Sequence, residues 1–295
     1  MATESLKSLT SFVIATRDRC DELVAVVERL LETTHCPIVV VDNGSRDDSV
    51  RAVRRLADRA TDRLEVVALQ DNLGAVARNV GVARASTPFV AFCDDDSWWH
   101  PDAPTIAESI FAANPSVAVL AARTVVWPDE RDDPLSAVMA ASPLGRDPAL
   151  PGPSILGFLS CSSMVRKDAF EAVGGFSPIL HFRGEEQLLA WDLAANGWDL
   201  CFCPELVAYH QPSPTRPPNA VQDARSMRNA VLTTWLRRPL GHCLRAAARL
   251  GYAATADVAH ARACAEALGR LPAVVRERRR LPADVERSLA LLGDG

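Results

Sequence analysis

From Phe12 to Cys93 the chain alternates short apolar, β-branched runs with longer stretches of amphipathic spacing. Phe12-Val13-Ile14-Ala15, Ile38-Val39-Val40-Val41, Val66-Val67-Ala68-Leu69 and Phe89-Val90-Ala91-Phe92-Cys93 each predict a buried strand. Between the first two, Leu23, Val26, Val27, Leu30 and Leu31 share one face of a helix over Asp21–Glu32. A second helix, which Ser45 and Asp47 can cap, runs roughly to Arg59, and a third covers Ala75–Ala85. Strands that are apolar throughout and separated by helices predict an α/β fold, a mainly parallel sheet covered on both faces.

Beyond Cys93 the pattern is less regular. Trp127–Pro153 carries six prolines among Asp, Arg and Ala and reads as a surface loop. Cys161–Val165 suggests a strand and Lys167–Val173 a short helix stopped by Gly174-Gly175. Gly184 opens a helix through Asn196, and Leu200–Cys203 and Leu206–Tyr209 read as final strand pieces. Gln211–Asn219, with four prolines, reads as a loop. From Val221 the pattern is helical and rich in arginine, so the expected organisation is a catalytic domain over 1–220 and a helical extension over 221–295.

Composition narrows this picture. The 295 residues are 48% apolar and 23% charged, enough for a large core. The net charge of −5 argues against a general nucleic-acid binder. Twelve arginines face three acids between Arg225 and Arg280. They suit a solvated helical face, or contact with an anionic acceptor, a partner or a membrane surface; a homodimer interface is a further use of these helices. The eight cysteines lack metal-type pairing, which fits buried thiols in a reducing cytoplasm. No apolar run approaches the roughly 20 residues that span a bilayer, and Met1–Ser8 lacks the apolar core of a signal peptide.

Polar clusters follow three of the strands, at the carboxyl ends where open α/β sheets bind ligands. They are Thr16-Arg17-Asp18-Arg19, Asp42-Asn43-Gly44-Ser45 and Asp94-Asp95-Asp96. Three adjacent carboxylates repel one another unless solvated or neutralised by a divalent cation. Mg²⁺ or Mn²⁺ prefers one or two carboxylates plus phosphate oxygens, so a metal–diphosphate is the expected partner. Alternation turns Asp94 and Asp96 to one side and Asp95 to the other. Asp42 can accept from a nucleobase N–H, or simply shape its turn. Asn72-Leu73-Gly74 opens a helix whose N–H groups and Arg78 suit phosphate, or it is an ordinary cap. Glu185-Glu186 at a helix start offers a general base or compensates the helix dipole. His210 can complete a metal shell or pack at the surface, and Trp98-Trp99 can floor a sugar pocket or anchor a loop.

Taken in order, Ala15–Arg19, Val41–Ser45, Asn72–Asn79, Asp94-Asp95-Asp96, Gly174-Gly175-Phe176, Gly184-Glu185-Glu186 and Tyr209-His210 resemble glycosyltransferase family 2, inverting enzymes of the GT-A fold. The resemblance runs from about Phe12 to His210. It implies a Rossmann-like, mixed but mainly parallel sheet flanked by helices, with the C-terminal helices lying outside it. It implies a nucleotide-sugar donor, UDP-, dTDP- or GDP-linked, and a divalent metal, Mg²⁺ or Mn²⁺. Donor contacts fall to Thr16, Arg17, Asp42, Asn72, Gly74, Arg78, Asp94 and Asp95, with Arg216 meeting the diphosphate from a closing loop over Gln211–Arg228. Metal ligation falls to Asp96 first, then Asp94 and His210. Glu186 stands where relatives carry an aspartate base, and Glu185 is its rival. The acceptor is open: polysaccharide, lipid carrier, peptide or natural product. Two other readings are a catalytically silent nucleotide-sugar-binding scaffold, which the full acidic set disfavours, and a nucleotidyltransferase, which the lack of a Gly-rich triphosphate loop disfavours.

Overall fold

A computed structural model describes residues 8–60, 62–213 and 219–293. Strands β1 (Thr10–Thr16), β2 (Ile38–Asp42), β3 (Leu64–Ala68) and β4 (Phe89–Cys93) alternate with helices α1 (Cys20–Thr33), α2 (Ser49–Ala57) and α3 (Val76–Arg84). The four strands pair in parallel in the order β3-β2-β1-β4, with Thr16 opposite Asp42 and Ile14 opposite Cys93. This register brings the three polar strand ends side by side. Side chains alternate between two cores: Val13, Val39 and Val41 pack on one face, and Phe12, Ile14, Ile38 and Val40 on the other. Burial on both faces is why the cores of β1, β2 and β4 are apolar, whereas the edge strand β3 is half exposed and carries Glu65.

The second half makes the sheet mixed. β5 (Ser97–Trp99) and α4 (Ala103–Ala113) follow the acidic triplet, then β6 (Val117–Val126). The expected surface loop over Trp127–Pro153 instead holds the short β7 (Arg131–Asp132) and α5 (Pro134–Ala140). Asp133 caps α5 by accepting from the Leu135 N–H, and Pro134 sits in its first turn. A proline there starts a helix rather than breaking one, because the first turn has no use for its missing N–H. A 3-10 turn (Ser160–Ser162), β8 (Ser163–Arg166), α6 (Lys167–Ala172), α7 (Glu185–Ala195) and β9 (Asp199–His210) complete the path β4-β8-β6-β9-β5. β8 runs antiparallel to β4 and β6, and β5 antiparallel to β9. The two expected final strand pieces are one strand, β9, interrupted by a register shift against β6 near Ala122.

α8 (Asn219–Arg237), α9 (Leu240–Ala253), α10 (Val258–Gly269), α11 (Leu271–Glu277) and α12 (Ala283–Leu291) finish the described chain. The expected closing loop over Gln211–Arg228 is therefore helical from Asn219 onward; 214–218, with Arg216, lies outside the described residues. One apolar cluster joins Ile179, Leu180 and Leu188 to Val231, Leu232, Leu236 and Ala267. Part of the arginine excess is internal. Arg237 is buried and forks onto Asp192 of α7, Arg238 pairs with Glu286 at 3.0 Å, and Arg228 pairs with Glu266. Asn229 donates to the carbonyls of Leu180, Phe182 and Arg183, fastening α8 to the turn that delivers Glu185 and Glu186.

Candidate active site

The site is assembled from strand ends and held by hydrogen bonds between them. Asp18, in the left-handed region at φ 54°, donates its N–H to Ser45 Oγ at 2.9 Å and accepts the Arg46 N–H at 2.7 Å. Asn43 accepts the Leu73 N–H at 2.7 Å and donates to the Gly74 carbonyl at 3.0 Å. The loops after β1, β2 and β3 thus form one rim. The sequence pattern assigns Asn43 no role of its own; its signal is an amide placed directly after an apolar strand, where a buried polar group needs partners.

Asp42 is buried, and its Oδ2 accepts the Ser45 N–H at 3.0 Å. Its Oδ1 is also buried but meets no donor in the described structure. A buried carboxylate oxygen without a donor is costly. Arg17 is exposed beside Asp18, and Asn72, also exposed, accepts the Gly74 N–H.

The triplet lies in the turn between β4 and β5, and its three side chains part there. Asp95 turns inward, where its Oδ2 accepts from Thr16 Oγ1 at 2.8 Å. Burial, and then the charge of Asp94, push its carboxyl up to about 7. The hydroxyl of Thr16 is engaged in this pair. Asp94 remains 32% exposed and is gripped by Arg78 Nη2 at 2.5 Å; Asp96 lies 3.5 Å from His210 Nε2 and accepts the Ser213 N–H at 3.2 Å. Among the described residues no group of three or more His, Cys, Asp or Glu is gathered as a metal cluster. Of the expected trio, Asp96 and His210 lie side by side, whereas Asp94 is turned to Arg78. That pair still fits a hard cation that takes its remaining ligands from phosphate and water.

Arg78, expected at a phosphate, is buried beneath the carboxylates. It touches Asp94 and, at 3.5 Å, Glu185. Burial alone would lower its pKa, but Asp94 and Glu185 raise it above the ordinary guanidinium value. Glu185 is buried as well. Desolvation, then the neighbouring Glu186 charge, push it up to about 8 against the pull of Arg78. Glu186 is only half-buried, and its Oε1 accepts from Ser160 Oγ at 2.8 Å. Ser160, in the turn before β8, carries no motif in the sequence.

Gly74 allows these parts to meet. At φ 62° it faces His181, and a Cβ there would stand 2.1 Å from the His181 carbonyl oxygen. That carbonyl accepts the Ala75 N–H at 2.6 Å, so the turn carrying Glu185 and Glu186 rests on the start of α3. Trp98 and Trp99 are buried. Trp98 stacks on Tyr209 at 5.7 Å, and the Trp99 indole N–H donates to the Phe92 carbonyl, so both anchor β5.

A parallel nucleotide-type half sheet, extended by strands of mixed direction, with acidic groups at its carboxyl edge, defines a GT-A glycosyltransferase. The pattern of Glycosyl transferase family 2 matches residues 11–174, and the chain belongs to this family. It is 37% identical over 91 residues to the succinoglycan biosynthesis protein ExoU of Rhizobium meliloti, covering 30% of this chain and 26% of that protein. It is 31% identical over 191 residues to the pre-mycofactocin glycosyltransferase of Mycobacterium tuberculosis, covering 59% of this chain and 37% of the relative. These matches thus span well under half of the relatives. Among solved structures, the Pyrobaculum calidifontis mannosyltransferase PcManGT, in complex with GDP-Man and Mn²⁺, aligns over 98% of this chain and 81% of its own with TM-score 0.62 at 19% identity. S. aureus TarS 1-349 in complex with UDP-GlcNAc aligns over 96% and 83% with TM-score 0.60 at 16% identity. No described helix is long and apolar enough to cross a membrane.

Proposed function

We propose that this glycosyltransferase moves a sugar from a nucleoside diphosphate donor to an acceptor hydroxyl by one inverting displacement. The observation that carries the reading is the unequal environment of the adjacent carboxylates. Glu185 is buried against Arg78, whereas Glu186 is half-buried and oriented by Ser160. A general base must reach a substrate proton, and Glu186 has that access. It takes the proton of the acceptor hydroxyl as the oxygen attacks the anomeric carbon, and the bond to the diphosphate oxygen breaks on the opposite face. No sugar–enzyme intermediate forms.

Asp42 Oδ1 supports nucleobase recognition, as an unfilled buried acceptor at the end of β2. It suits the N3–H of uracil or thymine, or an N–H of guanine. The loop residues Arg17, Asn72 and Gly74 line the donor side, and Asp94, held by Arg78, faces the sugar. Asp96 and His210 would hold Mg²⁺ or Mn²⁺, as Mn²⁺ accompanies GDP-Man in PcManGT. When bound, the cation offsets the charge that develops on the departing diphosphate.

The test is a panel of UDP-, dTDP- and GDP-sugars followed by thermal shift with Mn²⁺, then donor hydrolysis and transfer. The reading expects one nucleotide class to stabilise the protein and turnover to vanish in Asp96→Ala and in Glu186→Gln. Normal turnover in both variants would overturn it.

A further inference from the structure

We infer that the outer face of α9–α11 docks on a bilayer surface bearing anionic headgroups. α10 is apolar on two sides. Ala263 and Ala267 are buried in the cluster shared with α8, while Val258, Ala261, Ala265 and Leu268 form another stripe that is exposed. Their spacing of three and four residues keeps them on one face. α9 repeats the arrangement. Leu250 is buried in the same cluster and the Trp235 indole N–H donates to the Cys243 carbonyl, whereas Leu240, Leu244 and Tyr252 face outward. Leu244 is 73% exposed, Tyr252 81%, Val258 75% and Val275 of α11 73%. Seven of the fourteen large hydrophobic side chains exposed among the described residues lie between Leu240 and Val275. Scattered exposed leucines need no explanation, but this concentration on adjoining helices does.

Charge identifies the occupant. Leu240–Arg280 holds eight arginines and three acids, a local +5 in a chain of net −5. Arg245, Arg249, Arg262, Arg276, Arg279 and Arg280 are exposed, against Asp257 as the single exposed acid among the described residues of this stretch. Exposed leucine and valine flanked by arginine is the composition of a helix lying in the headgroup layer. A second copy of the same face would meet like charge. A phosphodiester backbone would leave the leucines and valines unused.

The test uses the full chain and vesicles of phosphatidylcholine alone or mixed with phosphatidylglycerol. The wild type should sediment with the mixed vesicles, stay in the supernatant with phosphatidylcholine alone, and be released as salt approaches roughly 0.5 M. Leu244→Glu with Leu268→Glu should lower vesicle affinity about tenfold or more without changing Tm, because both side chains are exposed. Arg249→Gln with Arg262→Gln should weaken binding and flatten its salt dependence. The inference fails if the wild type ignores anionic vesicles, or if the leucine pair instead dissociates a dimer seen by light scattering. It also fails if duplex DNA retains the protein and the leucine pair does not matter. Donor hydrolysis is measured without vesicles on the same preparation. An active enzyme that never pellets defeats the docking alone; an inactive one that pellets defeats the transfer reading alone.

Discussion

Glu185 and Glu186 are neighbours in sequence but opposites in environment. Glu185 sits under Arg78 with one oxygen, Oε2, buried and without a donor; Glu186 is half-buried and accepts from the Ser160 hydroxyl. Glu186→Gln should therefore retain donor affinity and lower kcat by about 10²–10⁴, the usual worth of a general base. Turnover with donor binding measured in parallel checks this; equal kcat would move the role elsewhere. Glu185 makes a different prediction. Its carboxyl is raised in the folded protein to about 8, so folding favours its protonated form. Its contribution to stability is full below the unfolded value of about 4.3 and is lost as pH rises through that window toward the folded value. Glu185→Gln should flatten the fall in Tm between roughly pH 5 and pH 8.5. A variant whose Tm falls as steeply as the wild type would contradict it. That carboxylates gather at the strand ends was legible in the sequence, because charged residues directly after apolar runs are conspicuous. Their roles were not. Arg78 reads as a surface phosphate ligand because a helix start gives no hint that Asp94 and Glu185 will close over it.

At the scale of elements, the sequence was clearest where one periodicity held. β4 matches Phe89–Cys93, and β1 and β2 differ from expectation only at their ends. It was poorest where strands were short or set by distant partners. β5 has three residues and exists by pairing with β9, and the sequence pattern did not single out β6, a run of valine and alanine interior to the sheet. Contacts between elements were beyond it too, and Gly74 shows why. Its Asn-Leu-Gly-Ala context signals a helix start, but the His181 carbonyl that forbids a side chain comes from far along the chain. Gly74→Ala combines a left-handed φ with that collision. It should cost about 1–3 kcal/mol and displace the turn that carries Glu186. Thermal denaturation and donor turnover should both fall. A variant with wild-type Tm and kcat would show that the turn is free to adjust.

Across the whole molecule, the site gathers six carboxyl groups, two of which burial raises, Asp95 to about 7 and Glu185 to about 8. Asp42, Asp94, Asp95, Asp96, Glu185 and Glu186 converge from two strand ends and a helix, and Arg78 is the guanidinium buried against them. A diphosphate approaching this edge meets carboxylates first. On the proposed reading, neither a divalent cation nor the donor would be well served alone: the cation would have Asp96 and His210, which lie 3.5 Å apart, as protein ligands, and the donor diphosphate would meet carboxylates. Bound together, each supplies what the other lacks. Such mutual dependence is a coupling free energy and is reciprocal, with typical values of about 1–3 kcal/mol. Ligand saturation at roughly 100 times Kd stabilises a fold by about 2.7 kcal/mol, so the coupling falls within reach of thermal denaturation. The Tm rise with Mn²⁺ and nucleotide-sugar together should exceed the sum of their separate rises. EDTA should reduce the donor's effect to its metal-free value. In Asp96→Ala the two rises should become additive, because the carboxylate that joins cation to strand is gone, while Asp42 still receives the base. Additive shifts in the wild type would show that donor and cation do not share this edge.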